Sequence, residues 1–190
     1  MPQKVTVCIL YGFCEGPRLA KRFREALEAE DFAIVHDPAR ADILVGHSGG
    51  CYMVPEQTTA KRIVQIGIPY WPGRSVIDSG WRKLITDLSH HHREGELRFW
   101  LHKTLWNVTY FWKIPRNIRM LRARNRGTIW RWGKQTTVIR PTFDTFCTDD
   151  LESLPFAEKP RLVTIPGHHD QCWRAPKPYI AELLRERGRL

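Results

Sequence analysis

The sequence predicts an α/β fold, with about six mostly parallel strands, helices on both faces and a helical cap insert. Three observations predict it. Short, nearly continuous apolar runs of strand length recur through the chain, as expected of strands buried on both faces. Segments with helical spacing of apolar residues alternate with the first of these runs through short connections. The alternation then stops for about sixty residues and resumes with the same character, which divides the chain into a core of 1–74 and 135–190 and an insert of 75–134.

In order, Lys4 to Leu10 reads as a buried-type strand ending in the turn-rich loop Tyr11-Gly12-Phe13-Cys14-Glu15-Gly16-Pro17. From Pro17 to about Glu30, Leu19, Ala20, Phe23, Ala26 and Leu27 recur at helical spacing. Phe32 to Val35 and Asp42 to Val45 are the second and third strands, joined through Asp37-Pro38-Ala39-Arg40. A helix is expected from roughly Gly50 to Thr59, and a fourth strand from Arg62 to Ile68. After the insert, Thr136 to Arg140 is a strand, a short helix is expected over Asp150 to Ala157, and Arg161 to Ile165 is the last strand. The loop from Pro166 to Trp173 then leads to a closing helix over Pro176 to Arg187, with Tyr179, Ile180, Leu183 and Leu184 as its apolar stripe.

One stretch carries a chemical signature. Ile43-Leu44-Val45 runs into Gly46-His47-Ser48-Gly49-Gly50, a G-x-S-x-G with an apolar strand before it and a potential helix behind. A serine at a tight strand-to-helix turn is crowded from both sides, and glycines two residues before and after relieve that crowding. The alternative is a Gly/Ser-rich loop without chemistry.

Here the chain resembles the α/β-hydrolases, in particular compact single-domain serine hydrolases; the likeness covers everything except the insert. It rests on three stations in the family's order, each just after an expected strand: Ser48, then Asp144 in Pro141-Thr142-Phe143-Asp144, then His169 in Gly167-His168-His169. The resemblance implies Ser48 as nucleophile, His169 as base and Asp144 as the acid that orients it. His168 is the alternative base, because Gly167-His168 also fits a Gly-His pattern. It also implies an oxyanion hole made by the N–H groups of Gly49 and Phe13, with Tyr11-Gly12-Phe13 replacing the commoner His-Gly start of that loop. The chemistry needs each part. A neutral imidazole suits proton removal near pH 7, a carboxylate fixes its tautomer, and amide donors stabilise the tetrahedral oxyanion. No cofactor is required.

The insert holds thirteen Lys and Arg against four Asp and Glu, so it carries +9 of the chain's +10, and six of the eight tryptophans. Leu97 to Trp112 is helix-like with a broad aromatic arc, Pro115 should end or kink it, and Asn117 to Arg126 reads as a basic helix. In α/β-hydrolases a connection at this point commonly carries a lid. The resemblance therefore implies that Trp100, Trp106 and Trp112 line an apolar acyl pocket, although aromatics here also serve to pack a lid onto the core. The basic face fits anionic substrate groups or an anionic membrane surface; without a recognised motif, nucleic acid is a poor fit.

The other candidates have plainer readings. His90-His91-His92 is expected to be an exposed polar linker, since three adjacent side chains diverge and lack partners at ligand spacing; no metal site is expected. Asp144 has the alternative of a turn residue. Cys14, Cys51, Cys147 and Cys172 lie near the stations; packing is the default, a reactive thiol the alternative. Five cysteines without paired spacing, a short apolar run after Lys4 and no run near ~18–20 apolar residues point to a soluble, cytoplasmic protein. The expected activity is hydrolysis of a carboxylic ester or thioester through an acyl-serine. Amide or peptide cleavage on the same triad, or a non-catalytic protein binding a membrane or partner through the lid, are the alternatives.

Overall fold

The computed structural model describes residues 4–12, 15–69, 133–144, 152 and 154–190. These build one six-stranded sheet: β1 (Thr6–Leu10), β2 (Ala33–Val35), β3 (Ile43–His47), β4 (Arg62–Ile66), β5 (Thr136–Pro141) and β6 (Arg161–Ile165). The spatial order is β2-β1-β3-β4-β5-β6, and every neighbouring pair is parallel. Parallel pairing puts all strand C-terminal ends along one edge. The order reverses between β1 and β3, and such a switch point opens a crevice where ligands bind in open α/β sheets.

Alternation along the strands sorts the core into two layers. Val7, Ile9, Ile43, Val45, Val64, Ile66, Ile139 and Ile165 face one side. They pack against α1 (Lys21–Ala29), α2 (Gln171–Arg174) and α3 (Lys177–Arg187) through Phe23, Leu27, Trp173, Tyr179, Ile180 and Leu183. Cys8, Leu44, Ile63 and Val138 face the other side, against Cys51, Tyr52, Val54, Ala60 and Leu154. Because β1, β3 and β4 are covered on both faces, their residues had to be apolar in succession.

Two expected helices differ. In place of a helix over Gly50 to Thr59, a 3-10 helix runs from Ser48 to Met53 and stops at Val54, whose φ and ψ are −60° and 123°. Val54 precedes Pro55, and a residue before proline is pushed out of the helical region. Of the second, Glu152 lies in a 3-10 turn, whereas Leu154 to Ala157 are not helical. Pro155 breaks it in the same way, while Phe156 N–H donates to the Leu154 carbonyl at 2.8 Å. Conversely, the turn of helix α2 falls in what reads as loop. Of the insert, only Gly133 and Lys134 lie within the described residues. Among those residues no helix is long and apolar enough to cross a membrane.

At the opposite edge, the strand starts are tied to the end of α3 by a buried ionic group. Glu182 and Glu186, four apart on α3, both accept from Arg161 Nη1, at 2.7 and 3.3 Å. Glu186 Oε1 also accepts from Thr137 Oγ1 at 2.9 Å and Arg189 Nη1 at 3.1 Å, and Arg185 bonds Glu182. Arg62 Nη2 donates to the Arg189 carbonyl at 3.0 Å. The group thus joins β4, β5 and β6 to the last turn of the closing helix. Deleting one member leaves the others desolvated without compensation. Glu186→Ala should therefore destabilise the fold by about 2–3 kcal/mol in urea unfolding, a loss beyond that of an exposed ion pair.

Candidate active site

The G-x-S-x-G motif forms a strained elbow. Ser48 has φ 51°, a left-handed conformation uncommon for a residue with a Cβ, and is 7 % exposed. The crowding inferred from the motif is steric and local. A Cβ at Gly46 would sit 2.9 Å from Cys51 Cα, and one at Gly50 only 1.9 Å from the Leu10 carbonyl oxygen. The loop after β1 presses on the serine from the other side, with Gly12 against Ser48 Cβ. Ser48 therefore stands at the switch point between β1 and β3, with the Gly49 amide following it into the 3-10 turn.

Asp144 follows β5 and His169 follows β6. His169 Nδ1 and Asp144 Oδ2 lie 2.7 Å apart in a bond from which water is excluded, both residues being 3 % exposed. A donor–acceptor bond to the carboxylate places the proton on Nδ1, leaving Nε2 as the ring's basic nitrogen. Gly67, just past β4, forms the floor beneath the pair: its φ is +60°, and a Cβ there would meet Asp144 Oδ2 at 2.9 Å and His169 Nδ1 at 3.0 Å. His169 also reaches back across the sheet edge to the elbow. Its carbonyl accepts from His47 Nε2 at 2.7 Å, and the His47 and His169 rings are 4.9 Å apart. The backbone carrying the histidine is thereby fastened to the residue preceding Ser48.

His47 is itself half of a buried pair. Its Nδ1 lies 2.8 Å from Glu15 Oε2, which also accepts from Gly12 N–H at 2.7 Å. Since Nε2 must donate to a carbonyl and Nδ1 faces a carboxylate, a second proton lies between ring and acid. Burial works against a charged ring. The Cys172 sulfur and the Glu15 carboxylate beside it work the other way and prevail, holding the His47 pKa well above its ordinary 6.5. Burial also pushes the Cys51 and Cys172 thiols up. Those two cysteines fill space in the core. His47, His169 and Asp170 bring possible ligand atoms within 4.8 Å of one another. Both His47 nitrogens and His169 Nδ1 are already engaged in hydrogen bonds, so too few donor atoms are left for a three-ligand cation site.

A search of solved structures finds the same architecture repeatedly. Epoxide hydrolase I of potato (Solanum tuberosum) superposes with a TM-score of 0.61 at 12 % identity, covering 99 % of this chain and 94 % of that one. The epoxide hydrolase VrEH1 of Vigna radiata gives 0.62 at 10 % identity, over 99 % and 92 %. ClbQ from the colibactin NRPS/PKS pathway gives 0.58 at 10 % identity, over 98 % of each. The chain has the α/β-hydrolase fold. Neither protein-family models nor curated protein sequences match it.

Within this α/β-hydrolase fold, Ser48, Gly49, Asp144 and His169 lie at the C-terminal edge of the sheet, and the ring bonded to Asp144 is that of His169. His168, the alternative base, has its ring stacked on Phe143 instead, with centroids 5.5 Å apart. Phe13, Trp100, Trp106, Trp112, Cys14, Cys147 and His90 to His92 lie outside the described residues. Gly12 is engaged through its own N–H with Glu15, so it does not supply the second oxyanion donor. Three participants escaped the sequence reading: Glu15, His47 and Gly67. His47 was marked only by filling the variable position of G-x-S-x-G, and nothing near Gly67 in the sequence pointed to the site. The steric floor gives a direct prediction. Gly67→Ala should slow any reaction needing the Asp144–His169 bond by roughly 100-fold while costing only about 1–2 kcal/mol in stability, from the left-handed backbone. Turnover and thermal unfolding, measured together, separate the two effects.

Proposed function

We propose that this protein is a serine hydrolase that cleaves a carboxylic ester or thioester through an acyl-serine intermediate. The observation carrying the proposal is the buried 2.7 Å bond between His169 and Asp144, whose histidine carbonyl accepts from His47, the residue before Ser48. In the proposed cycle, Ser48 Oγ attacks the carbonyl carbon as its proton passes to His169 Nε2. The proton on Nδ1 stays hydrogen-bonded to Asp144, which stabilises the imidazolium. The Gly49 N–H, with Phe13 as second donor, receives the oxyanion. Collapse expels the alcohol or thiol, which takes the proton from His169. Water, deprotonated by the same ring, then releases the acid and restores Ser48.

The identity of the nucleophile argues for acyl transfer over the reaction named for two of the fold's neighbours. A serine that opened an epoxide would become an alkyl ether, with no carbonyl for water to attack, so the enzyme would stop after one event. An acyl-serine is an ester and hydrolyses. Amide or peptide cleavage uses the same groups and differs in leaving-group protonation. The basic, tryptophan-rich segment 75–134 is proposed as a lid, its aromatics lining an acyl pocket and its charge facing an anionic substrate group or membrane surface. A cytoplasmic location belongs to the same proposal and accords with Cys8, Cys51 and Cys172 all being free thiols.

Two measurements test this. A fluorophosphonate probe should label the wild-type chain and leave Ser48→Ala unlabelled. Equal labelling of both, or of neither, would remove the hydrolase in favour of a non-catalytic binding protein. Hydrolysis of p-nitrophenyl esters should depend on acyl length, and Trp106→Ala or Trp112→Ala should change that dependence. Equal rates from acetate to decanoate in all three proteins would sink the acyl pocket.

A further inference from the structure

The strands that deliver the acid and the base stay zipped beyond their own ends. Regular β5–β6 pairing finishes with Pro141 opposite Ile165. Past it, Thr142 donates to the Ile165 carbonyl through both its N–H, at 2.9 Å, and its hydroxyl, at 3.1 Å. Phe143 N–H donates to the Gly167 carbonyl at 2.9 Å. Gly167 has φ +139°, a conformation that L side chains rarely adopt, and a Cβ there would be 2.6 Å from Gln171 Cγ. This glycine lets the loop turn inward, so that the His168 ring lies on the Phe143 ring at 24° between planes. The next residue on each loop is a member of the Asp144–His169 pair. Two cross-loop contacts therefore stand in succession: Phe143 with His168, then Asp144 with His169.

We propose that Phe143 and His168 are positioning residues, a stacked clamp that sets the distance and angle at which Asp144 meets His169. The proposal rests on the hydrolase reading above, with His169 as base. The burial pattern supports it. His168 is buried at 5 % exposure, whereas Phe143 leaves 57 % of its surface in solvent and so contributes little to the core. What the phenyl ring supplies at that place is a flat surface against the imidazole. Aromatic pairs prefer a defined offset-stacked geometry, which flexible aliphatic contact does not impose. A reacting group displaced by about 1 Å loses roughly 100-fold in rate, so small looseness in this clamp reaches the chemistry. The first histidine of the His168-His169 pair thus acquires a role that does not involve proton transfer.

The test uses the full chain, with the fluorophosphonate labelling rate and p-nitrophenyl acetate kcat and KM measured on wild type, Phe143→Leu, Phe143→Tyr, His168→Leu and His168→Phe. The two leucine variants should lose roughly 10- to 100-fold in kcat and in labelling, with KM within about twofold. Phe143→Tyr and His168→Phe keep a ring in place and should stay within about threefold of wild type. Because Phe143 is exposed, Phe143→Leu should melt close to wild type, which separates loss of the stack from unfolding. If the wild type labels and Phe143→Leu labels equally fast, the clamp is wrong and the hydrolase stands. If His168→Phe is as slow as His168→Leu, the imidazole chemistry of His168 matters and the clamp is likewise wrong. A wild-type chain that does not label removes the hydrolase reading and the clamp together.

Discussion

The bond between His169 and Asp144 is the constraint on which the rest of the site depends. A carboxylate taken out of water must keep strong hydrogen bonds or be neutralised, and an imidazole serves as a base only if its proton is held on the correct nitrogen. One short bond satisfies both demands, but its members belong to loops that follow different strands. The all-parallel sheet answers the first part of that difficulty by ending every strand on the same edge. Gly67 answers the second. By ending β4 in a left-handed residue without a Cβ, the chain leaves the space in which the two side chains meet.

The same economy governs the elbow. His47 occupies the variable position of its motif, yet through its two nitrogens it joins the loop after β1 to the backbone of His169. Glu15 gathers the Gly12 amide and the His47 ring onto one oxygen. A hydrogen-bonded path therefore runs from the first loop, through the elbow, to the histidine loop, entirely within the protein. Buried networks of this kind rigidify when every member is satisfied and are costly when one is removed. The strain stored at Ser48 requires such support, because a left-handed serine would otherwise relax.

How much of this was legible in the sequence follows from the range of the interactions involved. The strands were legible because burial on both faces demands continuous apolar runs, as in Ile43-Leu44-Val45. The order Ser48, Asp144, His169 was legible because each lies a few residues beyond such a run. The 3-10 turn in place of a helix after Ser48 turned on Val54-Pro55, where the pre-proline restriction overrode a loose helical pattern. Glu15 and Gly67 were not legible as functional. Their significance comes from atoms far away in the chain: the His47 ring for one, the Asp144–His169 pair for the other. Glu182 and Glu186 lie outside the apolar stripe expected of the closing helix; their burial depends on Arg161 and Thr137 arriving from other strands.

Likeness of fold and identity of reaction separate clearly at the elbow. The architecture supplies a sheet edge, a switch point and a buried acid–histidine pair, and all three serve equally well any chemistry that needs an activated nucleophile. What selects among reactions is the atom presented there. An oxygen on a serine side chain makes an ester when it takes an acyl group and an ether when it takes an alkyl group. Of these, only the ester returns the enzyme at the pH where a histidine acts as base. If Ser48 is the nucleophile, as proposed, its oxygen favours acyl compounds, even though the backbone superposes on proteins named for epoxides. In the proposed cycle the acid and histidine loops need only hold their geometry through its four proton transfers, two in acylation and two in deacylation. Under that reading, the contacts around Asp144 and His169 continue one residue further back, in the stack of Phe143 on His168.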